Sequence, residues 1–173
     1  MSQVEYEFVR MEINVARLLK EPIGACRTYE IDEPASGRAA DSIKGEINLT
    51  RTSRGVLVTG SLSTTIYGTC DRCLKDTATA IKFTLEDEYL TLTDVRGRVH
   101  FEVEPDEFTI SDDHIIDLSE AIRQYIIMST PVKVLCSVSC PGICPVCGHV
   151  LASGDCGHGN KKTNTRWAML IEI

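Results

Sequence analysis

Long apolar runs are missing from this chain of 173 residues, since none reaches the length of about 18 residues that a helix needs to cross a bilayer. The first residues, 1–8, also lack the basic and apolar regions of a secretory signal peptide. We therefore expect a cytoplasmic protein with no membrane partner.

Basic residues are in short supply. The chain has 18 lysines and arginines against 25 aspartates and glutamates, and its formal net charge is −7. Bulk electrostatics will not hold nucleic acid on such a protein. Any contact with RNA must therefore be local, or must pass through a basic partner protein.

Familiar catalytic motifs are absent as well. The sequence contains no GxSxG nucleophile motif, no Walker phosphate-binding loop and no HExxH zinc-protease motif. His100, His114 and His149 stand apart from one another and from any nucleophile pattern. The sequence therefore predicts a protein that is not an enzyme and has no small-molecule substrate.

Cysteine, by contrast, is abundant, with eight in the chain. Seven of them and one histidine fall into groups with the short spacings of metal ligands. The groups are Cys70 with Cys73, Cys136 with Cys140, and Cys144 with Cys147 followed by Cys156 and His158. Seven thiols and one imidazole match the ligand count of two tetrahedral zinc sites. Cys26 stands outside the groups, and we expect it to be a buried apolar residue.

One of the two sites is predicted by local spacing. The segment Cys144-Pro-Val-Cys147-Gly148 resembles a zinc knuckle, in which the glycine supplies a left-handed backbone conformation. Cys156 and His158 follow closely enough to reach the same ion, which would complete a Cys₃His site.

The other site needs a long-range pairing. Cys136 and Cys140 cannot close a site alone, and their natural partners are Cys70 and Cys73, far upstream. Metal binding would then close a long loop and contribute directly to folding. An exchange in which Cys140 joins the knuckle stays open at this point.

The predicted ligands favour structural zinc. All eight are protein side chains, so two filled tetrahedra leave no open position for water or substrate. Iron–sulfur ligation is an alternative that the histidine disfavours. A redox-active dithiol at Cys70 and Cys73 is another, although this CxxC falls at the tip of a hairpin rather than at the start of a helix.

Periodicity predicts most of the strands. Apolar residues alternate from Val56 to Cys70 and again from Ile81 to Tyr89, which is typical of half-buried antiparallel strands. The first CxxC therefore lies at the tip of a hairpin. Weaker patterns predict strands over Glu5–Val15 and Cys26–Ile31, with a helical turn over Ala16–Lys20.

A helix is predicted over residues 117–130. Asp117-Leu-Ser-Glu120 resembles a capping box, and Pro131 stops the helix. We expect an α+β fold, a mostly antiparallel twisted β-sheet or partial barrel with this one main helix. The core domain is predicted over 1–131. A cysteine-rich zinc-binding region with a C-terminal docking element is predicted over 132–173, packed with the core as one unit.

Charged residues are unevenly distributed. Residues 96–113 are acidic, and form either a solvated surface or a docking face for a basic partner. Basic residues gather near the predicted ligands, where they are either solubilising residues or contacts for RNA phosphates or a partner protein. These are Arg72, Lys75, Lys133, Lys161, Lys162 and Arg166.

The order of these motifs resembles the YceD-like family, the large ribosomal RNA subunit accumulation proteins of bacteria and plastids. The resemblance extends over most of the chain, and it is carried by residues 51–60, the CDRCL segment at 70–74, the helix and its stop at 117–131, the cysteines and glycine of 136–148, and residues 164–170.

The resemblance implies a non-enzymatic role in accumulation of 23S rRNA and assembly of the large ribosomal subunit. Genes of the family often neighbour that of the zinc-ribbon ribosomal protein L32, which implies L32, or its site on the rRNA, as a partner. A zinc-stabilised protein–protein adaptor without RNA contact remains the alternative, followed by a CxxC redox protein.

The resemblance also bears on the ligand sets. Some members lack counterparts of Cys144, Cys147 and Cys156 but keep those of four other residues, which supports placing these four in one site. They are Cys70, Cys73, Cys136 (as a histidine) and Cys140. His158 stands where many members carry a cysteine, and imidazole replaces thiolate readily on zinc.

Overall fold

Two compact units make up the chain. The computed structural model describes residues 10–34, 41–92 and 107–158. The first unit runs to Tyr67 and resumes over Ala78–Val132, and the second comprises Gly68–Thr77 and the chain from Lys133 onward. The domain division predicted from the sequence, 1–131 and 132–173, stays a prediction.

Seven strands and one α-helix lie in the described parts of the chain. They are β1 (Glu12–Asn14), β2 (Cys26–Glu33), β3 (Ile43–Arg51), β4 (Gly55–Thr69), β5 (Asp76–Thr91), β6 (Thr109–Ile110), β7 (Ile115–Asp117) and α1 (Ser119–Ser129). Two single 3₁₀ turns cover Leu18–Lys20 and Leu151–Ser153. None of the described helices is long and apolar enough to cross a bilayer.

The strands form a mixed, mostly antiparallel sheet and a small second sheet. The five-stranded sheet has the order β2-β3-β4-β5-β6, with β3 antiparallel to both β2 and β4, and β6 parallel to β5. β1 pairs with β7 alone. The mostly antiparallel sheet with one main helix is confirmed. In the described chain β2 and β6 are free edges of a sheet that is not closed, so the partial barrel stays a prediction.

The predicted alternation of β4 and β5 is confirmed by burial. Val56, Val58, Leu62 and Ile66 point into the core from β4, while Tyr67 at its end is exposed. On β5 the buried positions are again two apart, among them Ile81, Phe83 and Leu85. Each such side chain contributes about 1.5–3 kcal/mol through burial. Gly55 starts β4 where a Cβ atom would overlap the carbonyl of Tyr89.

Helix α1 packs its apolar stripe into the same core. Leu118, Ala121, Ile122 and Ile126 are buried, as the helical spacing predicts. Tyr125 is partly buried, and its ring stacks on Phe83 with centroids 6.2 Å apart.

The predicted capping box is wrong. The helix begins at Ser119, not at 117, and the N-cap residue is Leu118. The Asp117 carboxylate accepts from the N–H of Ser119 at 2.9 Å. Glu120 does not return to the helix start, because its carboxylate accepts hydrogen bonds from the guanidinium of Arg123 and the amide of Gln124.

The N-terminal predictions are mostly confirmed. β1 falls inside the predicted strand Glu5–Val15, of which residues 5–9 lie outside the described chain. The helical turn over Ala16–Lys20 is present as a 3₁₀ turn, and β2 begins at the predicted Cys26. The prediction that Cys26 is buried is wrong. Cys26 is exposed because β2 is an edge strand, and its sulfur accepts a hydrogen bond from the Thr50 hydroxyl at 3.7 Å.

Candidate metal centres

The first CxxC lies in the turn that links β4 to β5. The N–H of Cys70 donates to the carbonyl of Lys75 at 2.8 Å, and the N–H of Leu74 donates back to the carbonyl of Cys70 at 2.8 Å. These bonds tighten the turn and bring both sulfurs to one side. Leu74 adopts a left-handed conformation, with φ of 59°, to make this possible. Cys70 and Cys73 are buried.

The second CxxC forms the same turn. The N–H of Cys144 donates to the carbonyl of His149 at 2.8 Å, and the N–H of Gly148 donates to the carbonyl of Cys144 at 2.9 Å. Gly148 has a φ of 73°, which confirms the left-handed glycine predicted after the second cysteine. The N–H of Val146 points at the Cys144 sulfur, 3.5 Å away. Such N–H groups stabilise negative charge on sulfur.

Two side chains hold the first turn against the segment that carries Cys136 and Cys140. Asp71 and Val134 exchange two hydrogen bonds, from the Asp71 N–H to the Val134 carbonyl at 2.8 Å and from the Val134 N–H to the Asp71 carboxylate at 2.7 Å. The guanidinium of Arg72 donates to the carbonyl of Cys140 at 2.9 Å. No pattern in the sequence indicates this positioning role of Asp71.

The first group of ligands, which we call the CxxC–CxxxC tetrad, unites Cys70, Cys73, Cys136 and Cys140. Their sulfur atoms all lie within 4.8 Å of one another. The sulfurs of Cys70 and Cys140 are 3.9 Å apart, and those of Cys73 and Cys136 are 3.6 Å apart. A tetrahedral ion with metal–sulfur bonds of about 2.3 Å needs sulfurs about 3.8 Å apart, whereas a disulfide needs about 2.05 Å. The residues fit a tetrahedral metal ion.

The second group, the knuckle tetrad, unites Cys144, Cys147, Cys156 and His158. Their ligand atoms also lie within 4.8 Å of one another. Cys144 is buried, Cys156 is partly exposed, and Cys147 and His158 are exposed. The eight side chains thus fall into the two sets that the spacing favoured, and Cys140 lies with the first set. Both sets can hold a metal ion, and the identity of that metal as zinc stays a prediction.

The thiols of the first tetrad differ in acidity. Backbone N–H groups, led by that of Cys136, lower the pKa of the Cys70 thiol to about 6. Its neighbour Cys136 has a pKa raised to about 12, chiefly because it is hydrogen-bonded to Cys140. One thiolate is therefore available at neutral pH, while its neighbour resists ionisation beside it. A metal cation between the four sulfurs makes ionisation of the second thiol favourable as well, and metal binding therefore releases protons.

The knuckle tetrad contains one acidic thiol of the same kind. The N–H of Cys147, followed by that of Val146, lowers the pKa of the Cys144 thiol to about 7. Each tetrad therefore includes one buried thiol whose pKa is lowered by backbone N–H groups, those of its own turn for Cys144 and chiefly that of Cys136 for Cys70.

The basic residues predicted to contact RNA or a partner lie in different settings. Arg72, Lys75 and Lys133 are exposed in the second unit, but the guanidinium of Arg72 is already bound to a carbonyl. Lys161, Lys162 and Arg166 lie outside the described residues, as does most of the acidic segment 96–113.

The fold and the two tetrads define the class of this protein: it is a small α+β protein with two separate groups of four potential metal ligands. Comparison with known families identifies it further: residues 58–173 match the family described as large ribosomal RNA subunit accumulation protein YceD, and the chain belongs to that family. The matched residues include both tetrads.

Similar proteins occur in mycobacteria. Proteins named as uncharacterized in Mycobacterium tuberculosis and Mycobacterium bovis are each 31% identical to this chain over 128 residues, which is 74% of the chain and 60% of the relative. An uncharacterized protein of Mycobacterium leprae is 26% identical over 128 residues, covering 74% of the chain and 57% of the relative. The matches thus span about 60% of these relatives' length. No solved structure matches the chain significantly.

Proposed function

We propose that this protein is a non-enzymatic assembly factor of the large ribosomal subunit that supports accumulation of 23S rRNA in the cytoplasm. The observation that carries the proposal is the family match over residues 58–173, which includes both tetrads and every basic residue considered above. The partner would be a precursor of the large subunit, through its 23S rRNA, through an early ribosomal protein such as L32, or through both.

The metal in this proposal is zinc, with one structural ion in each tetrad. Sets of four thiolates, or of three thiolates and one imidazole, are the ligands that structural zinc prefers. With all four positions taken by side chains, neither ion would offer a site for substrate or water, which supports a role without catalysis. The ions would stabilise the surface that carries Lys75 and Lys133.

Co-sedimentation with precursor particles of the large subunit tests the proposal. We expect the zinc-loaded protein to sediment with these particles, and the triple variant Lys161→Ala, Lys162→Ala, Arg166→Ala to bind them more weakly. The matched control replaces three lysines outside the second unit, Lys20, Lys44 and Lys82, with alanine and should bind like the wild type. Equal binding by the triple variant and the wild type would contradict the role given to those residues, and absence of the wild type from the particles would contradict the function.

Salt and nuclease separate RNA contact from protein contact. Contacts with phosphates weaken steeply as the salt concentration rises, because binding releases counterions from the RNA. A protein–protein adaptor would instead bind purified ribosomal protein after nuclease treatment. One observation favours this adaptor as the second candidate: the guanidinium of Arg72 is engaged by the Cys140 carbonyl and is less free to bind phosphate.

A further inference from the structure

A groove of about 340 Å³ lies in the first unit, between β1 and β2. Residues Arg10 to Asn14 line one side, and Tyr29, Glu30, Ile31 and Glu33 line the other. Neither the sequence motifs nor the family match points to this groove. Both of its walls are β-strands, and both strands turn an unpaired edge to it.

The edge of β1 that faces away from β7 is unpaired. The N–H of Leu118 donates to the carbonyl of Met11, and the N–H of Val15 donates to the carbonyl of His114. Backbone groups in an antiparallel pair alternate between the partner and the opposite side. The N–H and C=O groups of Glu12 and Asn14 therefore point away from β7. Within the described residues β1 pairs with no other strand.

The edge of β2 that faces away from β3 is unpaired in the same way. The N–H of Arg51 donates to the carbonyl of Ala25, which directs the odd-numbered residues of β2 toward β3 in the antiparallel register. The N–H and C=O groups of Thr28, Glu30 and Asp32 point outward. Natural proteins protect such edges with lysine, proline, bulges or short strands. β2 has eight residues and neither lysine nor proline.

The residues of the groove combine an apolar base with acidic residues on both faces of β2: Glu33 shares a face with Tyr29 and Ile31, and Glu30 lies on the opposite face. Met11 is buried, and Ile13, Tyr29 and Ile31 are partly buried beside the core. Three glutamates, Glu12, Glu30 and Glu33, stand against one arginine. That arginine, Arg10, pairs with Glu12 at 3.4 Å, so within the described chain Glu30 and Glu33 have no cationic partner.

The position of Glu30 in the sheet adds a reason to attract a cation. Glu30 lies directly opposite Glu46 of β3, and both side chains are exposed. Like charges directly opposite each other destabilise a pair of strands. A cationic side chain bound beside Glu30 would relieve this repulsion.

We propose that this groove binds an extended, lysine- or arginine-rich segment of a partner protein, which adds as a strand to the free edge of β2. Main-chain hydrogen bonds to Thr28, Glu30 and Asp32 would supply the affinity. Alternate side chains of the segment would contact the apolar base and the glutamates, which selects basic sequences with period two. The inference goes beyond the proposed ribosomal function and does not depend on it, because it rests on the groove alone.

Fluorescence anisotropy with labelled peptides tests the proposal on the full chain. The probe is a ten-residue peptide of alternating valine and lysine, and its matched control alternates valine and glutamate. We expect only the lysine peptide to bind, and the double variant Glu30→Gln, Glu33→Gln to bind it about tenfold more weakly. The double variant Asp76→Asn, Glu86→Gln removes the same charge from exposed positions of β5 that do not line the groove, and it should bind as the wild type does. Equal weakening by the two double variants would overturn the proposal, since net charge alone would explain it.

The backbone contribution needs its own test. Glu30→Pro removes an outward N–H from an edge strand, where proline is tolerated, and should weaken binding more than Glu30→Gln does. Should this variant unfold, a lysine peptide N-methylated at every second residue makes the same test on the wild type. Full affinity of the methylated peptide in both registers would overturn strand addition.

Two other occupants would also overturn the proposal. Suppose that sedimentation shows a dimer that persists in the double variant Glu30→Gln, Glu33→Gln but becomes a monomer in Glu30→Pro. In that case a second copy of the chain occupies the edge of β2. If the peptide binds only after residues 1–9 are deleted, the chain's own N-terminal residues occupy it.

Discussion

The two tetrads offer the same number of ligands but are assembled in opposite ways. In the CxxC–CxxxC tetrad, Cys70 and Cys140 are 70 residues apart in sequence, and three of the four sulfurs are buried. The knuckle tetrad is contained within residues 144–158, and only Cys144 is buried. The first therefore connects distant parts of the chain, whereas the second organises a local loop.

This difference predicts different contributions to stability. An ion that joins distant segments restricts the unfolded chain more than one that closes a short loop, and binding to a site that exists only in the folded state adds to folding free energy. The small apolar cluster of the second unit also consists of Cys70, Cys73 and Cys140, packed against Leu135 and Val150. The first ion would thus take the place of a larger hydrophobic core.

Replacing one cysteine in each tetrad should have the largest effect. Cys70→Ser and Cys147→Ser should each lower the zinc content from two ions to one. Cys70→Ser should also lower the free energy of unfolding by on the order of 3 kcal/mol or more, because it breaks the long-range closure, and Cys147→Ser should lower it by less. Elemental analysis and chemical denaturation measure both quantities.

Cys26→Ser is the matched control, because Cys26 is exposed and belongs to neither tetrad. It should keep both ions and the stability of the wild type. Equal destabilisation by Cys70→Ser and Cys147→Ser would contradict the difference between the tetrads. A wild type that binds iron, or no metal, would contradict zinc and favour the redox interpretation.

Acidification should release the two ions in order. Protons compete with the metal for thiolates, so affinity falls as the pH falls. The pKa of Cys70 is about 6 and that of Cys144 about 7, both below the usual value for a thiol. Because a bound ion keeps its ligands deprotonated, release should need a pH below these metal-free values. The knuckle tetrad, whose most acidic thiol has the higher pKa and whose other three ligands are at least partly exposed, should lose its ion first, below pH 7, and the other tetrad should follow at a lower pH.

A chromogenic chelator that reports zinc release as a function of pH makes this measurement. In Cys147→Ser the release at higher pH should disappear and the release at lower pH should remain. A single release step of two ions in the wild type would show that the tetrads are not independent.

The regular parts of this molecule were predictable because they repeat at fixed spacing. Alternation identified β4 and β5, since every second side chain must be buried. Spacing favoured the two ligand sets, because a local loop can complete one site and the remaining cysteines can then pair, but the place of Cys140 in the first set became clear only from the structure.

Other features leave no periodic signal. The bonds from the Val134 N–H to the Asp71 carboxylate and from the Arg72 guanidinium to the Cys140 carbonyl join side chains to backbone across more than 60 residues, so no local pattern reveals them. The exposure of Cys26 and the groove beside β2 depend on which strand lies at the edge of the sheet, and strand order is a property of the whole fold. Leu74 was missed for a different reason: leucine rarely adopts a left-handed conformation, so nothing in the sequence indicated the φ of 59° at the position that Gly148 occupies in the other turn.

The comparison of these two turns leads to the smallest predicted effect. Leu74 and Gly148 occupy equivalent positions, with φ of 59° and 73°, but leucine pays about 1–2 kcal/mol of strain there and glycine does not. Gly148→Leu should lower the free energy of unfolding by about 1 kcal/mol through strain alone, since no atom lies within 4 Å of the added Cβ. Leu74→Gly should raise stability by less than about 1 kcal/mol, because the greater entropy of glycine in the unfolded chain offsets part of the relief.

Denaturation of the zinc-loaded variants measures both changes, and Leu74→Ala separates the backbone from the side chain. Because alanine keeps the strain and removes most of the side chain, it should leave the stability nearly unchanged if the leucine, which is 66% exposed, packs on little. If Leu74→Ala lowers the free energy of unfolding by well above 1 kcal/mol, the leucine side chain stabilises the fold. Packing of Leu74 would then offset the backbone strain in the first turn, whereas Gly148 in the knuckle turn has no side chain to pack.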